Sequence, residues 1–381
     1  MSKPFRVGWI GSRYGGGTAQ VFQEQDDFEI IACCDINPER RQAAGEALAV
    51  EQRFADYEEL LDSGVNVVFI GTPQNLHAPM AVAALKRGLH VLSEVPAAVD
   101  FEQCCRLADA ARESPATYML AENYTHVDVV ILVGAMARAG LFGEIYFGEG
   151  EYVHELKDLN EKTPWRRVWQ TGRNGNTYPT HSLGPLLQWS GQRVVSVSCL
   201  GSGHHYRDPR GDLYENEDTT LMLCKTDKGS LFKIRLDMLS ERPHNMNYHT
   251  LQGTEGCYEG PRGFGDDHKV WLRGRNPDPQ TWAPLWDYRD DFLPAQRKRP
   301  PQAALRAGHG GGDYWMTLDF VRALREGKPP AQDVMFALDV TVPGLVSQQS
   351  IALGGAPVGV PDFRRYEPGS LVVPPAATAI D

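Results

Sequence analysis

The sequence predicts an α/β protein with an N-terminal, doubly wound parallel sheet and a C-terminal α/β domain whose open sheet is mainly antiparallel. In the first third of the chain, short apolar segments alternate with helical patterns, which is typical of parallel strands covered by helices. A glycine-rich turn follows the first apolar segment. Beyond residue 124 the strand-like segments lengthen and alternate apolar with polar residues, which indicates antiparallel strands.

The N-terminal elements follow from apolar segments of strand length that are separated by segments of helical length. Asn37-Pro38-Glu39 opens a helix, because proline suits the first helical position, and Asp100 is placed to cap another helix. The expected strands are 5–10, 29–35, 65–72, 90–94 and 118–123, and the further helices are 76–87 and 100–112.

The remaining chain begins with one helix, continues with strands and returns to helices. The expected strands are 144–153, 194–200, 219–226, 230–237 and 247–253, and the expected helices are 129–139, 314–326 and 335–352. Proline and glycine are frequent over 274–312, which predicts a long surface excursion. We expect domains over 1–124 and 125–355 and an extended, proline-rich tail over 356–381.

Composition limits the class of protein. Hydrophobic residues make up 42% of the 381 residues, which is enough to bury two cores. The net charge of −11 repels phosphate, so we expect neither nucleic acid nor a membrane surface as partner. No apolar segment reaches transmembrane length, and no signal-peptide pattern is present. The seven cysteines form no CxxC spacing, so we expect reduced thiols in a cytoplasmic protein.

The turn after the first strand has the features of a dinucleotide-binding loop. Gly11 and Gly16 fit the GxGxxG pattern, whereas Arg13 occupies the position of the middle glycine. The strand before the turn and the helix after it favour a Rossmann domain, with Gly11, Ser12, Arg13, Tyr14 and Gly16 near the phosphates. The alternative is a glycine-rich surface loop.

Asp35 ends the second expected strand, where a carboxylate accepts hydrogen bonds from the adenosine ribose. The same charge repels a 2′-phosphate, so the sequence favours NAD over NADP as cofactor. Arg40 and Arg41 follow closely and leave NADP open. The alternative role of Asp35 is to cap the next helix.

Three motifs follow the third, fourth and fifth strands and resemble the Gfo/Idh/MocA oxidoreductase family. They are Thr72-Pro73-Gln74-Asn75-Leu76-His77, Glu94-Val95-Pro96 and Ala121-Glu122-Asn123-Tyr124. The resemblance covers nearly the whole chain. It implies an NAD-binding Rossmann domain, followed by a substrate-binding domain whose open sheet faces the substrate and the nicotinamide, and homo-oligomers that pair through these sheets.

The resemblance assigns the residues of these motifs to the cofactor or the substrate. Cofactor contacts are expected from Thr72, Pro73, Asn75, His77, Glu94 and Asn123, and substrate contacts from Val95 and Tyr124. The alternatives are helix capping for His77, a salt bridge for Glu94 and simple packing for Tyr124. The family usually has Glu-Lys-Pro where this chain has Val95, and valine cannot transfer a proton.

The second domain resembles the branch of NAD-dependent glycosidases of the α-N-acetylgalactosaminidase type. The motifs that carry this resemblance are Trp165-Arg166-Arg167, 176–185, Ser240-Glu241-Arg242-Pro243 and His309-Gly310-Gly311-Gly312-Asp313-Tyr314. In this branch NAD oxidises a sugar hydroxyl, the new ketone acidifies the neighbouring C–H bond, the aglycone is eliminated, water adds, and the ketone is reduced again.

Tyr178 and His181 are the expected catalytic residues. Their spacing puts both on one side of a turn or helix start, and histidine can take a proton and return it. The alternative for His181 is a hydrogen-bonded core histidine, and Tyr178 is equally compatible with packing.

Several further side chains are candidates for ligand contacts. We assign Trp165 and Arg166 to the cofactor, with sugar stacking left open for Trp165. Arginines suit an anionic group on the carbohydrate or glycoside substrate, and the candidates are Arg166, Arg167, Arg173 and Arg242. The alternative is solvated surface charge. His204 and His205, with Asp208, could suggest a metal, but adjacent histidines would point apart on a strand. We interpret the segment as a loop and expect no metal.

Three hypotheses therefore remain open. The first is an NAD-dependent glycosidase that works by transient oxidation at C3. The second is an NAD-dependent sugar or polyol dehydrogenase with His181 as its base. The third is a non-catalytic NAD-binding sensor, motivated by Val95 and Arg13.

Overall fold

The computed structural model describes residues 5–11, 17–243, 246–276 and 278–368. The chain forms two compact units, each built from separate segments. The first unit comprises Met1–Val127, Pro300–Leu338 and Phe363–Val372, and the second comprises Asp128–Arg299, Asp339–Asp362 and Val373–Asp381. The domain limits drawn at residues 124 and 355 stay a prediction.

The first unit contains a six-stranded sheet in the order β3-β2-β1-β4-β5-β6, with every pair of neighbours parallel. This is the doubly wound Rossmann order, so the predicted fold class is confirmed. The strands are β1 Phe5–Ile10, β2 Phe28–Cys34, β3 Gln52–Phe54, β4 Val67–Ile70, β5 His90–Ser93 and β6 Tyr118–Leu120. The helices are α1 Thr18–Gln23, α2 Pro38–Leu48, α3 Tyr57–Leu61, α4 His77–Lys86, α5 Phe101–Glu113, α12 Gln302–Arg306 and α13 Gly312–Glu326.

Local sequence accounts for these elements. The Asn37 side chain accepts a hydrogen bond from the backbone N–H of Arg40, and Asp100 accepts one from Gln103, so both predicted helix starts carry N-caps. Strand β4 is buried along its whole length, as expected for a central parallel strand covered on both faces.

Aromatic side chains form the core of the first unit. Trp9 stacks on Phe69 with ring centroids 4.1 Å apart, and Phe22 lies 5.5 Å from Phe28. Phe320, on α13, meets Phe22 edge to face at 6.4 Å. A helix from late in the sequence thus completes the core of the N-terminal sheet.

The second unit contains a nine-stranded open sheet in the order β14-β13-β12-β11-β7-β10-β9-β8-β15. Its neighbours are antiparallel except β10 and β7, which are parallel. The strands are β7 Ile145–Val153, β8 Val194–Gly201, β9 Thr219–Thr226, β10 Leu231–Asp237, β11 Asn247–Gly253, β12 Gly256–Glu259, β13 Lys269–Leu272, β14 Ala283–Pro284 and β15 Val358–Gly359.

Helix α9 Thr180–Ser190 packs on β7, β10 and β11 of this sheet. The other helices of the second unit are α6 Asp128–Arg138, α7 Lys157–Lys162, α8 Trp165–Trp169, α10 Arg289–Phe292 and α11 Ala295–Lys298, and α14 Val334–Ala352 contributes to both units. Strand β9 alternates buried and exposed side chains, so one face of the sheet is packed and the other is open.

Two irregular regions carry more structure than predicted. The expected excursion over 274–312 contains short helices, and it buries Leu285, Leu293 and Arg297, whose guanidinium donates to Asp128 at 2.9 Å. The expected tail includes β15, which pairs with β8, and the buried Phe363. Scattered apolar residues among prolines gave no periodic signal for these contacts. Within the described segments, no helix combines the length and apolarity needed to cross a membrane.

Candidate active site

The loop expected to hold the dinucleotide phosphates begins at Gly11, directly after β1. Its φ of 98° lies in the left-handed region, and a Cβ there would clash with the carbonyl oxygen of Gly71. At the other end of the loop, Gly17 directly precedes α1 and has a φ of 101°. Ser12, Arg13, Tyr14 and Gly16 lie outside the described residues. Glycine is therefore needed at both ends of the loop for reasons of backbone geometry.

Asp35 follows β2 at the carboxyl edge of the sheet, where the ribose is expected. Its Oδ1 accepts a hydrogen bond of 2.9 Å from the backbone N–H of Asn37. Beside it, the apolar Ile36 side chain is 87% exposed, which suits contact with the flat face of an adenine. The Arg41 guanidinium donates to the backbone carbonyl of Asp35 at 2.7 Å. These residues fit the adenosine half of NAD.

The segment after β4 is fixed by His77. Its Nδ1 lies 2.9 Å from the carbonyl oxygen of Pro96, and its Nε2 lies 2.8 Å from that of Thr72. The buried ring thus joins the segments that follow β4 and β5. Thr72, Pro73 and Asn75 are half-buried beside it. Their cofactor contacts stay predictions, and His77 itself contacts the protein backbone through both ring nitrogens.

Val95 occupies the position of the family lysine. Its side chain is only 5% exposed, and Glu94 beside it is buried. The backbone N–H of Glu94 donates to the carbonyl of Ile70 at 2.9 Å, which extends the β4–β5 pairing to this point. An apolar, buried side chain supplies no proton-transfer group here.

A polar cluster that sequence reasoning did not assemble lies after β6. Asn123 Nδ2 donates to Oδ1 of Asp313 at 2.7 Å, and Nδ1 of His309 lies 3.1 Å from both carboxylate oxygens of Asp313. The Tyr124 ring meets the His309 ring edge to face at 5.5 Å. In the sequence, His309 and Asp313 stand out only as part of a family motif. Their spacing of four residues at a helix start was the available signal.

In the second unit, His181 lies in the first turn of α9. That helix packs closely on β7, and glycine at position 150 permits this approach, since a Cβ there would clash with the carbonyl oxygen of Ser182. The carbonyl oxygen of His181 lies 3.1 Å from Nε2 of His249 on β11. Strand glycine and a neighbouring histidine therefore fix the position of the His181 backbone.

The two expected catalytic residues lie together. The Tyr178 and His181 rings have centroids 5.2 Å apart and cross at 77°. Tyr152, at the end of β7, lies 5.0 Å from the His181 ring and 5.6 Å from that of Tyr178. The Tyr152 hydroxyl and Nδ1 of His154 are 2.8 Å apart. We call these four residues the aromatic cluster.

Sequence reasoning missed Tyr152 and His154 in this cluster. Both stand near the end of an expected strand, two positions apart, and therefore project from the same face. That alternation was the signal that could have identified them.

The expected arginines lie on and near α8, and aromatic rings accompany them. Arg166 covers the Trp165 ring at 4.3 Å, and Arg173 covers a neighbouring ring at 4.8 Å. Arg167 forms ion pairs with the protein carboxylates Asp208 and Glu161. The remaining candidate, Arg242, has an exposed side chain. Ligand roles for Trp165 and these arginines stay predictions.

One member of the histidine pair expected to lie in a loop, His205, is engaged with a carboxylate. Nδ1 of His205 lies 2.7 Å from Oδ2 of Asp218. Across the described ranges, no group of three or more histidine, cysteine or acidic residues is arranged to hold a metal.

Two family models match the chain in succession. One, described as an oxidoreductase family with an NAD-binding Rossmann fold, matches residues 5–122. The other, described as the C-terminal domain of glycosyl hydrolase 109, matches residues 126–367. NAD as cofactor and an enzyme of the Gfo/Idh/MocA type are thus confirmed.

Individual proteins agree with these matches. The alpha-N-acetylgalactosaminidase of Shewanella oneidensis is 32% identical over 94% of this chain and 85% of its own length. A glycosyl hydrolase family 109 protein of Shewanella baltica is 31% identical over the same shares. The solved levoglucosan dehydrogenase with NADH has a TM-score of 0.81 at 21% identity, covering 94% of this chain and 100% of that one, which shows the shared fold. The chain therefore belongs to glycosyl hydrolase family 109, with an N-terminal part from the NAD-binding Gfo/Idh/MocA oxidoreductases.

Proposed function

We propose that this protein is a glycosidase that uses NAD as an internal oxidant, reduced and regenerated within each turnover. The C3 hydroxyl of the sugar is oxidised, the C2 proton is removed, the aglycone leaves C1, water adds to the enone, and the ketone is reduced. Bound NAD supplies the acceptor and donor of two electrons. The observation that carries the proposal is the aromatic cluster, which lies in the part of the chain matched by the glycosidase family model.

The aromatic cluster suits proton transfer at the sugar. A C3 ketone makes the neighbouring C2–H bond acidic enough for a modest base, so the carboxylate pair of ordinary glycosidases is not required. An imidazole such as that of His181 is the commonest general base in enzymes, and a phenol such as that of Tyr178 can relay the proton. In the first unit, Asp35 and the segments after β4, β5 and β6 would hold the cofactor.

The proposed substrate class is an α-linked N-acetylhexosaminide, because the relative from Shewanella oneidensis is named for that activity. An anionic substituent on the sugar would be bound by Arg173 or Arg242. Arg167 is less suited to this role, since its guanidinium pairs with Asp208 and Glu161.

The test combines the protein, a catalytic amount of NAD and a panel of aryl glycosides, including α-N-acetylgalactosaminides, in deuterated water. Release of the aglycone, deuterium at C2 and no net NADH would support the proposal. Stoichiometric NADH without aglycone would indicate a dehydrogenase, and tight NAD binding with neither product would indicate a sensor.

A matched pair of tyrosine variants separates chemistry from packing. Tyr178→Phe keeps the ring of the aromatic cluster and removes the hydroxyl, so we expect a loss of about 10²-fold or more in aglycone release with unchanged stability. The control is Tyr146→Phe on the exposed start of β7, which should leave activity unchanged. Equal activity of both variants would contradict a role for the Tyr178 hydroxyl.

Location and assembly complete the proposal. All seven cysteines are free thiols and six are buried, which supports a reducing, cytoplasmic location.

On the open face of the second sheet, leucines are exposed side by side at Leu200, Leu221, Leu223 and Leu231. We propose that a second copy of the chain covers this face. Light scattering of Leu221→Lys, expected to shift toward monomer, tests this.

A further inference from the structure

His309 stands in an unusual backbone conformation. Its φ of 53° is left-handed, a region that is unfavourable for a non-glycine residue. Glycines surround it in sequence, yet histidine occupies this position. Strain of this kind collects at functional sites, where the surrounding contacts maintain it.

Nδ1 of His309 lies 3.1 Å from both oxygens of Asp313, which only accept hydrogen bonds, and 3.0 Å from Nδ2 of Asn123, which only donates. Because the amide already donates to the carboxylate at 2.7 Å, and a charge-assisted bond to Asp313 is the stronger one, we assign the ring proton to Nδ1. Asn123 then donates its amide to Asp313 and holds the carboxylate in place. Nε2 is left as the basic nitrogen of the neutral ring and has no hydrogen-bond partner among the described residues. The side chain is 28% exposed, so this nitrogen is open to a ligand.

The position in the fold points to the cofactor edge. Asn123 comes shortly after β6, and the backbone N–H of Ala121 donates to Ser93, the last residue of β5, at 2.7 Å. Open α/β sheets bind ligands outside these carboxyl ends. The neighbouring segment after β5 carries Val95, where the wider family has its lysine.

A second observation also indicates a ligand. Asn123 is 3% exposed, and its Oδ1 finds no hydrogen-bond partner within the described parts of the chain. Orphaned buried acceptors of this kind are rare and are found where a ligand or bound water completes the site. The close approach of α13 is also specific, because a Cβ on Gly312 would lie 2.5 Å from the carbonyl oxygen of Asn123.

We propose that His309, oriented by Asp313, accepts the proton of the sugar hydroxyl that is oxidised, in place of the lysine that Val95 replaces. The inference rests on the proposed function. The C3 hydrogen would leave as a hydride, with both electrons of the C3–H bond, and bound NAD would supply its acceptor. The O–H bond breaks, its proton moves to Nε2 of His309, and the O–H electron pair forms the second bond of C3=O. On reduction of the ketone, the same proton returns from Nε2 to the oxygen.

The key variant is His309→Asn, because asparagine tolerates left-handed backbone but cannot accept this proton. Asp313→Asn, nearly isosteric, removes the group that fixes the tautomer. Ala49→Asn is the matched control, since exposed Ala49 also has a positive φ, of 57°, and lies at the end of α2.

The measurement is the single-turnover appearance of NADH absorbance when the glycoside is added to NAD-loaded enzyme. His309→Asn should slow it by about 10²–10⁴-fold with NAD affinity unchanged in calorimetry, and Asp313→Asn by about 10²-fold. Ala49→Asn should match the wild type. In a second readout, diethylpyrocarbonate should label His309 in the free protein, and NAD with glycoside should protect it.

Each outcome decides between the two proposals. Oxidation by His309→Asn within about threefold of the wild-type rate would overturn the role of His309 and leave the glycosidase proposal standing. Lost NAD affinity would also overturn it, because the side chain would then hold the cofactor. Wild-type protein that forms neither NADH nor aglycone across the panel would overturn the proposed function itself. If NAD and glycoside do not slow the labelling of His309 by diethylpyrocarbonate, His309 does not contact the bound ligands and its proposed role is overturned.

Discussion

The two units hold their candidate histidines by different physical means. His309 in the first unit is oriented by a carboxylate and an amide and is partly exposed. His181 in the second unit is only 4% exposed, lies among aromatic rings, and is anchored through its backbone carbonyl. Hydrogen bonds to a carboxylate determine which ring nitrogen of His309 carries the proton. Packing among aromatic rings holds the His181 ring in position and excludes water from it. The difference in surroundings suits the separate roles proposed for the two histidines.

The largest expected effect comes from the packing that places His181. In Gly150→Ala, the new methyl group clashes with the backbone of α9 at Ser182, so the helix must move. Overpacking of this kind costs about 1–3 kcal/mol, and displacement of His181 should reduce aglycone release further. Urea unfolding and the aglycone assay measure the two effects.

Gly148→Ala is the control for this prediction. Its added Cβ would meet side-chain atoms of Leu186 and Phe232 at 3.0 and 3.2 Å and the carbonyl oxygen of Thr250 at 3.3 Å, which is a much milder approach than the clash at Gly150. It should therefore cost less than Gly150→Ala. Equal losses in both variants would mean that the approach of α9 to β7 does not determine the position of His181.

An effect on stability alone, without the further loss of activity, is expected at Asp237, a buried carboxylate of the second unit that contrasts with Asp313. Burial acts to raise the pKa of Asp237, but hydrogen bonds from Thr219, Ser240 and the backbone outweigh it, so the pKa is lowered. A lowered pKa in the folded state stabilises the fold above the unfolded value and loses this contribution as the pH falls through the folded value.

Asp237→Asn should therefore lower the free energy of unfolding near neutral pH by about 1–3 kcal/mol, since it removes an acceptor from buried donors. The difference from wild type should shrink below about pH 4, where the unfolded carboxyl is protonated. Unfolding curves at several pH values measure it. A difference that stays constant down to pH 2 would show that packing, and not charge, explains the loss.

Sequence patterns predicted the strands best where alternation or burial was uninterrupted. Strands β1, β9 and β11 have the expected bounds. Helix α9 was missed because Gly184 and Pro185 interrupt its helical pattern, although tertiary packing on β7 supports it. The parallel pairing of β7 with β10 depends on topology, which strand patterns do not encode.

The candidate site divides in the same way. Tyr178 and His181 were predictable because they are close in sequence and belong to one motif. Asn123 and Asp313 are 190 positions apart, so their hydrogen bond depends on the return of α13 to the first unit. No local pattern contains that information, and only the folded structure reveals the cluster around His309.

The smallest expected effect is on the rate at which buried cysteines react with a disulfide reagent. Comparing this rate between the two units shows which unit opens more readily. Burial raises the pKa of Cys34 in the first unit and of Cys199 in the second, each to about 12. Near pH 8 both are therefore protonated thiols, which react slowly with disulfide reagents. Labelling followed by peptide mass spectrometry should be slow at both and fast after unfolding in urea, with half-buried Cys257 as the internal reference.

Because buried thiols react through local opening, faster labelling of one cysteine identifies the less stable unit. Fast labelling of both under native conditions would contradict the burial that the thiols share, and NAD should slow only Cys34 if the cofactor stabilises the first unit alone.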